Sequence, residues 1–156
     1  MAYVGVIGAS GRSRPAPEAL AAAERVGELL ARAGAVIVCG GLDGVMEAVA
    51  RGAAAGEGTC VGLLPGSSRS DGNGFLSLAI PTGLGEGRNV LIVRASDVLV
   101  AIGRGLGTLS EIALALQAAK HVVGLETWDA PDGDPRMHVA RDADDAVAQA
   151  LALAGG

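Results

Sequence analysis

The sequence predicts an α/β fold: a doubly wound, mostly parallel sheet with helices on both faces. Short continuous apolar runs, such as Val98-Leu99-Val100-Ala101-Ile102, alternate with longer stretches in which apolar residues recur at helical spacing. Strands that are apolar throughout are those buried on both sides of a parallel sheet. Glycine-rich turns stand between strand and helix twice, at Gly40-Gly41-Leu42-Asp43-Gly44 and at Gly103-Arg104-Gly105-Leu106-Gly107. Ligands of such sheets bind beyond the carboxyl ends of strands, near a switch in strand order. Both turns are therefore expected to line one crevice.

The elements follow in order. Tyr3 to Ile7 is a β-rich run ending in Gly8-Ala9-Ser10-Gly11. After Pro15 and Pro17, Glu18 to Ala33 carries Leu20, Val26, Leu29 and Leu30 at helical spacing, and Gly34 stops it. Ala35 to Cys39 is a strand, Val45 to Ala55 a helix ended by Gly56, and Thr59 to Leu64 a strand before Pro65. Ser67 to Gly74 is small and polar and reads as a mobile loop. Leu76 to Ile80 is a further short strand, and a helix runs from about Glu86 to Ala95 with Arg88 and Asn89 in its first turn. The strand ending at Ile102 leads to a helix expected over Thr108 to Ala119. Val122 to Leu125 is a strand, Thr127 to Arg136 a loop, and Asp142 to Ala154 a closing Ala-rich helix.

A length of 156 residues is that of one domain with a sizeable core. Half the residues are apolar but only 2% are aromatic, so the core must rely on close approach of helices and sheet. A net charge of −5 without a basic cluster argues against nucleic acid, since Arg12 and Arg14 are too few to neutralise a phosphate backbone. Met1 to Ser10 lacks the charged start of a signal peptide, and Arg94 and Asp97 interrupt the one long apolar run, so neither a leader nor a membrane span is expected. That makes the chain cytoplasmic by expectation. Cys39 and Cys60 lack C-x-x-C spacing and read as free, buried thiols, and His121 and His138 as isolated residues with no metal role.

The turn after Ile102 carries the chemistry. Glycine lets backbone approach a ligand closely, and the unpaired amides and dipole of the following helix attract an anion. Gly103, Arg104, Gly105, Leu106, Gly107 and Thr108 thus form a candidate phosphate cradle. A ligand-free alternative is a capping box, because Thr108 and Glu111 have its spacing. Gly8, Ser10 and Gly11 after the first strand, and Gly40, Gly41 and Gly44 after the second, are candidate contributors to the same site. Met46 reads as core.

Three motifs together resemble the LOG-like Rossmann proteins: Gly40-Gly41-x-x-Gly44-Val45-Met46-Glu47, Gly87-Arg88-Asn89 and Gly105-x-Gly107-Thr108-x-x-Glu111. That family includes cytokinin riboside 5′-monophosphate phosphoribohydrolases, once mislabelled lysine decarboxylases, and molybdenum cofactor carrier proteins. The resemblance covers Tyr3 to about Leu125 and implies a bound nucleotide, phosphate or molybdopterin, no required cofactor, and a homodimer or higher homo-oligomer. Gly103 and Arg104 stand where the hydrolases have Pro and Gly, and Cys39 replaces the first residue of a common Gly-Gly-Gly. These departures bring the chain closer to the carrier branch. The decarboxylase label fails on chemistry, because pyridoxal phosphate needs a Schiff-base lysine and Lys120, the one lysine, lies away from the glycine turns.

Two activities remain open. A carrier would hold the phosphate of a small ligand on the turns, with Arg88, Asn89 and Arg104 reading the rest. A nucleoside 5′-monophosphate phosphoribohydrolase would use Arg88 and Glu111, which match the family's catalytic arginine and glutamate, with Asp43, Glu47 and Glu86 as the candidates for a second acid. In the first turn of its helix, Glu111 is expected to stay ionised at neutral pH unless burial reverses the trend, and an ionised Glu111 would be a poor proton donor. An interaction protein with a vestigial pocket is the third reading.

Overall fold

The apolar runs pair side by side in one sheet. A computed structural model describes residues 1–156. Its strands are β1 (Tyr3–Gly8), β2 (Val36–Cys39), β3 (Thr59–Leu64), β4 (Leu78–Pro81), β5 (Val98–Ile102), β6 (His121–Leu125) and β7 (Met137–Val139). The seven lie in the order β4-β3-β2-β1-β5-β6-β7, and every neighbouring pair is parallel. Chain order runs outward from β1 in one direction and resumes from β5 in the other. The switch point therefore falls between β1 and β5, as the doubly wound expectation requires.

Five helices cover the sheet: α1 (Pro17–Arg32), α2 (Val45–Ala55), α3 (Arg88–Ala95), α4 (Leu106–Gln117) and α5 (Ala143–Ala154). Pleating sends alternate residues to opposite faces. Val4, Val6, Val98, Val100 and Ile102 pack under α1, α2 and α5, whereas Ile7, Val38, Leu99 and Ala101 pack under α3 and α4. The first core holds 26 buried residues and the second 11, so the α3–α4 side is the thinner cover. Leu84, Val90, Leu91 and Leu106 remain exposed there. No helix is long and apolar enough to cross a membrane.

Scarcity of aromatics is met by backbone contact. A Cβ on Gly27 would overlap the Val49 carbonyl oxygen, and one on Gly52 the Glu24 carbonyl oxygen. The two glycines let α1 and α2 touch main chain to main chain. Termini are set locally: Pro17 occupies the first position of α1, and the Asp142 carboxylate caps α5 by accepting from the Asp145 amide at 2.8 Å.

Residues 67–74 form a connection, as expected, that includes a 3-10 turn (Arg69–Asp71) capped by Ser68, and the Asn73 side chain donates to the Leu42 carbonyl at 2.9 Å. The structure corrects three expectations. A seventh strand, Met137–Val139, follows the loop where none was expected; it is short and its Val139 is exposed. His121 and His138 are not isolated, since neighbouring strands bring Nδ1 of one within 2.9 Å of Nε2 of the other. Helix α4 starts at Leu106 rather than Thr108, and this shift changes the chemistry of the site. Cys39 and Cys60 are free and buried as expected, with their sulfurs 3.7 Å apart.

Candidate functional site

A cleft of about 670 Å³ opens at the carboxyl ends of β1 and β2, against α3 and α4. Its wall on one side is the start of α4. Gly105 is the N-cap and contributes no side chain. Its carbonyl accepts both the Leu109 amide at 3.1 Å and the Trp128 indole N–H at 3.0 Å, which fixes the turn from two sides. The amides of Leu106, Gly107 and Thr108 have no partner within the helix and none elsewhere in the chain. They form the free-amide end at which anions are held.

Because the helix begins two residues early, Thr108 is its third residue and Glu111 its sixth. The capping box does not form: Thr108 is 1% exposed, lines the cleft, and its Oγ1 has no hydrogen-bond partner. An unpaired buried hydroxyl costs about 1–3 kcal/mol, so a polar ligand atom in the cleft is the natural recipient of this group.

Glu111 departs from expectation for the same reason. It lies past the first turn, where the helix dipole has faded, and burial pushes its carboxyl from the ordinary 4.5 to about 7, with Arg88 opposing the rise. Desolvation outweighs the nearby cation, and Glu111 holds a proton through much of the neutral range. Burial thus reverses the trend set by the dipole, so that a protonated Glu111 can donate as well as accept.

Arg88 opens α3 and is 8% exposed. Its Nε donates to the Leu63 carbonyl at 2.8 Å, one terminal nitrogen to the Gly40 carbonyl at 3.4 Å and the other to the Asn89 side-chain oxygen. Burial lowers its pKa, partly offset by Glu111 and Cys39. Carbonyls at the ends of β2 and β3 thus aim the cation into the cleft. Gly40 makes room for it: a Cβ there would sit 2.7 Å from the guanidinium and 2.5 Å from the Met46 sulfur.

Of the residues read from sequence, Gly8, Ser10, Gly40, Arg88, Asn89, Gly105, Leu106, Gly107, Thr108 and Glu111 line this cleft. Turns from β1, β2 and β5 converge as anticipated. Gly11, Gly41, Gly44, Gly103 and Arg104 do not line it. Gly11 donates its amide to the Asp43 carboxylate at 2.9 Å, joining the first two turns. Gly44 has φ 66°, and a Cβ there would strike the Ala9 carbonyl. Gly41, with φ 78°, packs on Leu64. Gly103 and Arg104 face the other side of the turn, where Arg104 Nε donates to the Thr127 carbonyl at 3.3 Å.

Arg12, Ser13 and Ser110, which the sequence did not single out, also line the cleft, as does Glu86, one of the three candidate second acids. Ser110 lies between two motif residues and Arg12 follows the first glycine turn, so position alone was the available signal. Met46 is buried as expected, yet its side also forms part of the cleft wall.

An uncharacterized protein of Archaeoglobus fulgidus is 46% identical over 123 residues, 79% of each chain. The molybdenum cofactor binding protein of Rippkaea orientalis superposes with a TM-score of 0.91 at 34% identity, over 97% of this chain and 96% of that one. The molybdenum cofactor carrier protein of Chlamydomonas reinhardtii gives a TM-score of 0.86 at 34% identity, over 99% of both chains. The profile of the SLOG cluster4 family matches residues 1–152, and the chain belongs to that family.

Proposed function

We propose that this protein is a carrier of a small phosphorylated ligand, of the molybdopterin type bound by its structural relatives. The single observation behind the proposal is the Thr108 hydroxyl, buried without a partner beside three free amides at the start of α4. On this reading the amides of Leu106, Gly107 and Thr108 hold the phosphate and Thr108 Oγ1 donates to it. Arg88 supplies charge from the opposite wall, and Asn89, Ser10 and protonated Glu111 meet the polar ring edges of the ligand. A bound molybdenum cofactor would supply the metal and sulfur chemistry. The chain would bind, orient and shield it.

Calorimetry with molybdopterin and with AMP tests the proposal through Thr108→Val, which keeps shape and removes the hydroxyl. Losing an orphaned donor should leave the free protein as stable or about 1 kcal/mol more stable, while affinity falls roughly fivefold. A variant that loses stability but keeps its affinity would show that the hydroxyl serves the fold.

A second reading, the nucleoside 5′-monophosphate phosphoribohydrolase, gains from one observation. Glu111, held near 7 by burial, is suited to protonate a departing base. Free base and ribose 5-phosphate released from AMP by pure protein, and abolished in Glu111→Gln, would establish it in place of the carrier.

The proposal includes a homodimer in the cytoplasm. The exposed Leu84, Val90 and Leu91 on the thinly covered α3 side supply an apolar surface for a second copy. Two unlinked thiols 3.7 Å apart suit a reducing compartment. Sedimentation should give a dimer that Val90→Glu with Leu91→Glu converts to monomer; a monomeric parent chain would dispose of the dimer.

A further inference from the structure

The glycine turn after β5 has cavities on both sides. Beyond the main cleft, a second cavity of about 310 Å³ lies at the carboxyl ends of β5 and β6, against the start of α1. The two share only Ala9, Ser13 and Gly105 as lining residues. Gly105 and Ala9 form the partition, since a Cβ on Gly105 would stand 3.5 Å from that of Ala9. The wall between the cavities is therefore one small residue thick on each side, and the free amides of α4 sit at its edge.

The chemistry of the second cavity differs from that of the first. Ala16, Ala19, Ile102 and Leu125 give it an apolar floor. Arg14 and Arg104 stand at it as cations, neither in an ion pair, with Glu126 as the one carboxylate. Arg14 and Glu126 hold left-handed backbone, with φ 47° and 50°. Non-glycine residues in that region carry strain and tend to be kept where a site requires it. An apolar slot with two guanidinium groups at its rim, neither in a salt bridge, fits a flat ring attached to an anionic linker.

We propose that the ligand straddles the Gly103–Gly105 turn: two ring systems, one in each cavity, joined through a pyrophosphate lying across the start of α4. The substrate class is a dinucleotide-type molecule rather than a mononucleotide. The β1–β5 switch point is where a doubly wound sheet takes such a ligand. This inference rests on the phosphate reading of α4 given above.

The test compares AMP with NAD+ and FAD by calorimetry. At least one two-ring probe should bind about tenfold or more tighter than AMP, as burial of a second ring on apolar surface requires. That ratio should collapse toward one in Ala16→Trp, which fills the second cavity from an exposed helix-capping position, and in Ala19→Leu. If neither two-ring probe binds tighter than AMP, the inference is overturned and the carrier proposal stands. So does a ratio that survives both substitutions. Failure of AMP, NAD+ and FAD alike, together with failure of molybdopterin, overturns both.

Discussion

Glu111→Gln is expected to raise stability by up to about 3 kcal/mol near pH 8 and by little near pH 4.5. The sign follows from linkage. Glu111 has a folded pKa of about 7 against an ordinary 4.5. Between those values the folded state binds the proton more tightly than the unfolded one, so stability falls as pH rises. The favourable contribution is complete below about 4.5 and is lost once pH passes about 7. A difference of about 2.5 units at roughly 1.4 kcal/mol each gives the quoted magnitude. Glutamine keeps the shape and cannot ionise, so its advantage should grow across this window and level off above it. Urea midpoints of both proteins from about pH 4.5 to 8.5 measure it. A constant gap across the range would mean that Glu111 titrates as an ordinary exposed carboxyl.

The same carboxyl couples to the ligand. An anion placed on the amides of α4 repels ionised Glu111, so binding near pH 8 should take up a proton. Affinity of the parent chain should therefore weaken above neutrality, and that of Glu111→Gln should weaken less.

The second large effect is in the framework. Gly52→Ala places a methyl group on the carbonyl oxygen of Glu24, and neither partner is a flexible side-chain end. Helices α1 and α2 must separate, opening the core beneath them. Overpacking of this kind costs about 3 kcal/mol, and the better helix propensity of Ala returns about 1 kcal/mol. The net loss of about 2 kcal/mol corresponds to a fall in melting temperature of roughly 4–8 °C. Gly107→Ala is the control, because a Cβ there meets nothing within 4 Å. Equal melting of the two variants would show that the helices yield without cost. Affinity per folded molecule should be unchanged in Gly52→Ala, since the residue lies far along α2 from the cleft.

Much of the sheet was legible because its strands are continuous apolar runs bounded by glycine. Val98–Ile102 is buried at every position, and its sequence says so. Met137–Val139 was illegible for the converse reason: it is a short edge strand recruited by pairing with β6, with no apolar run of its own. The glycine turns were readable as a site because three of them follow strands that prove adjacent. Finer chemistry was not readable. The state of Glu111 depends on burial contributed by residues distant in sequence, and the fate of the Thr108 hydroxyl depends on a helix that begins at exposed Leu106, a residue with no start signal. The roles of Gly103 and Arg104 depended on which side of the turn each faces, a matter of φ 80° at Gly103 rather than of composition.

The indole of Trp128 rests on the Gly105 carbonyl, and the chain contains no other tryptophan. The molecule thus carries a single tryptophan, hydrogen-bonded to the loop proposed to hold the ligand. Loading and unloading become visible as a change in its emission, without a label and without altering a residue.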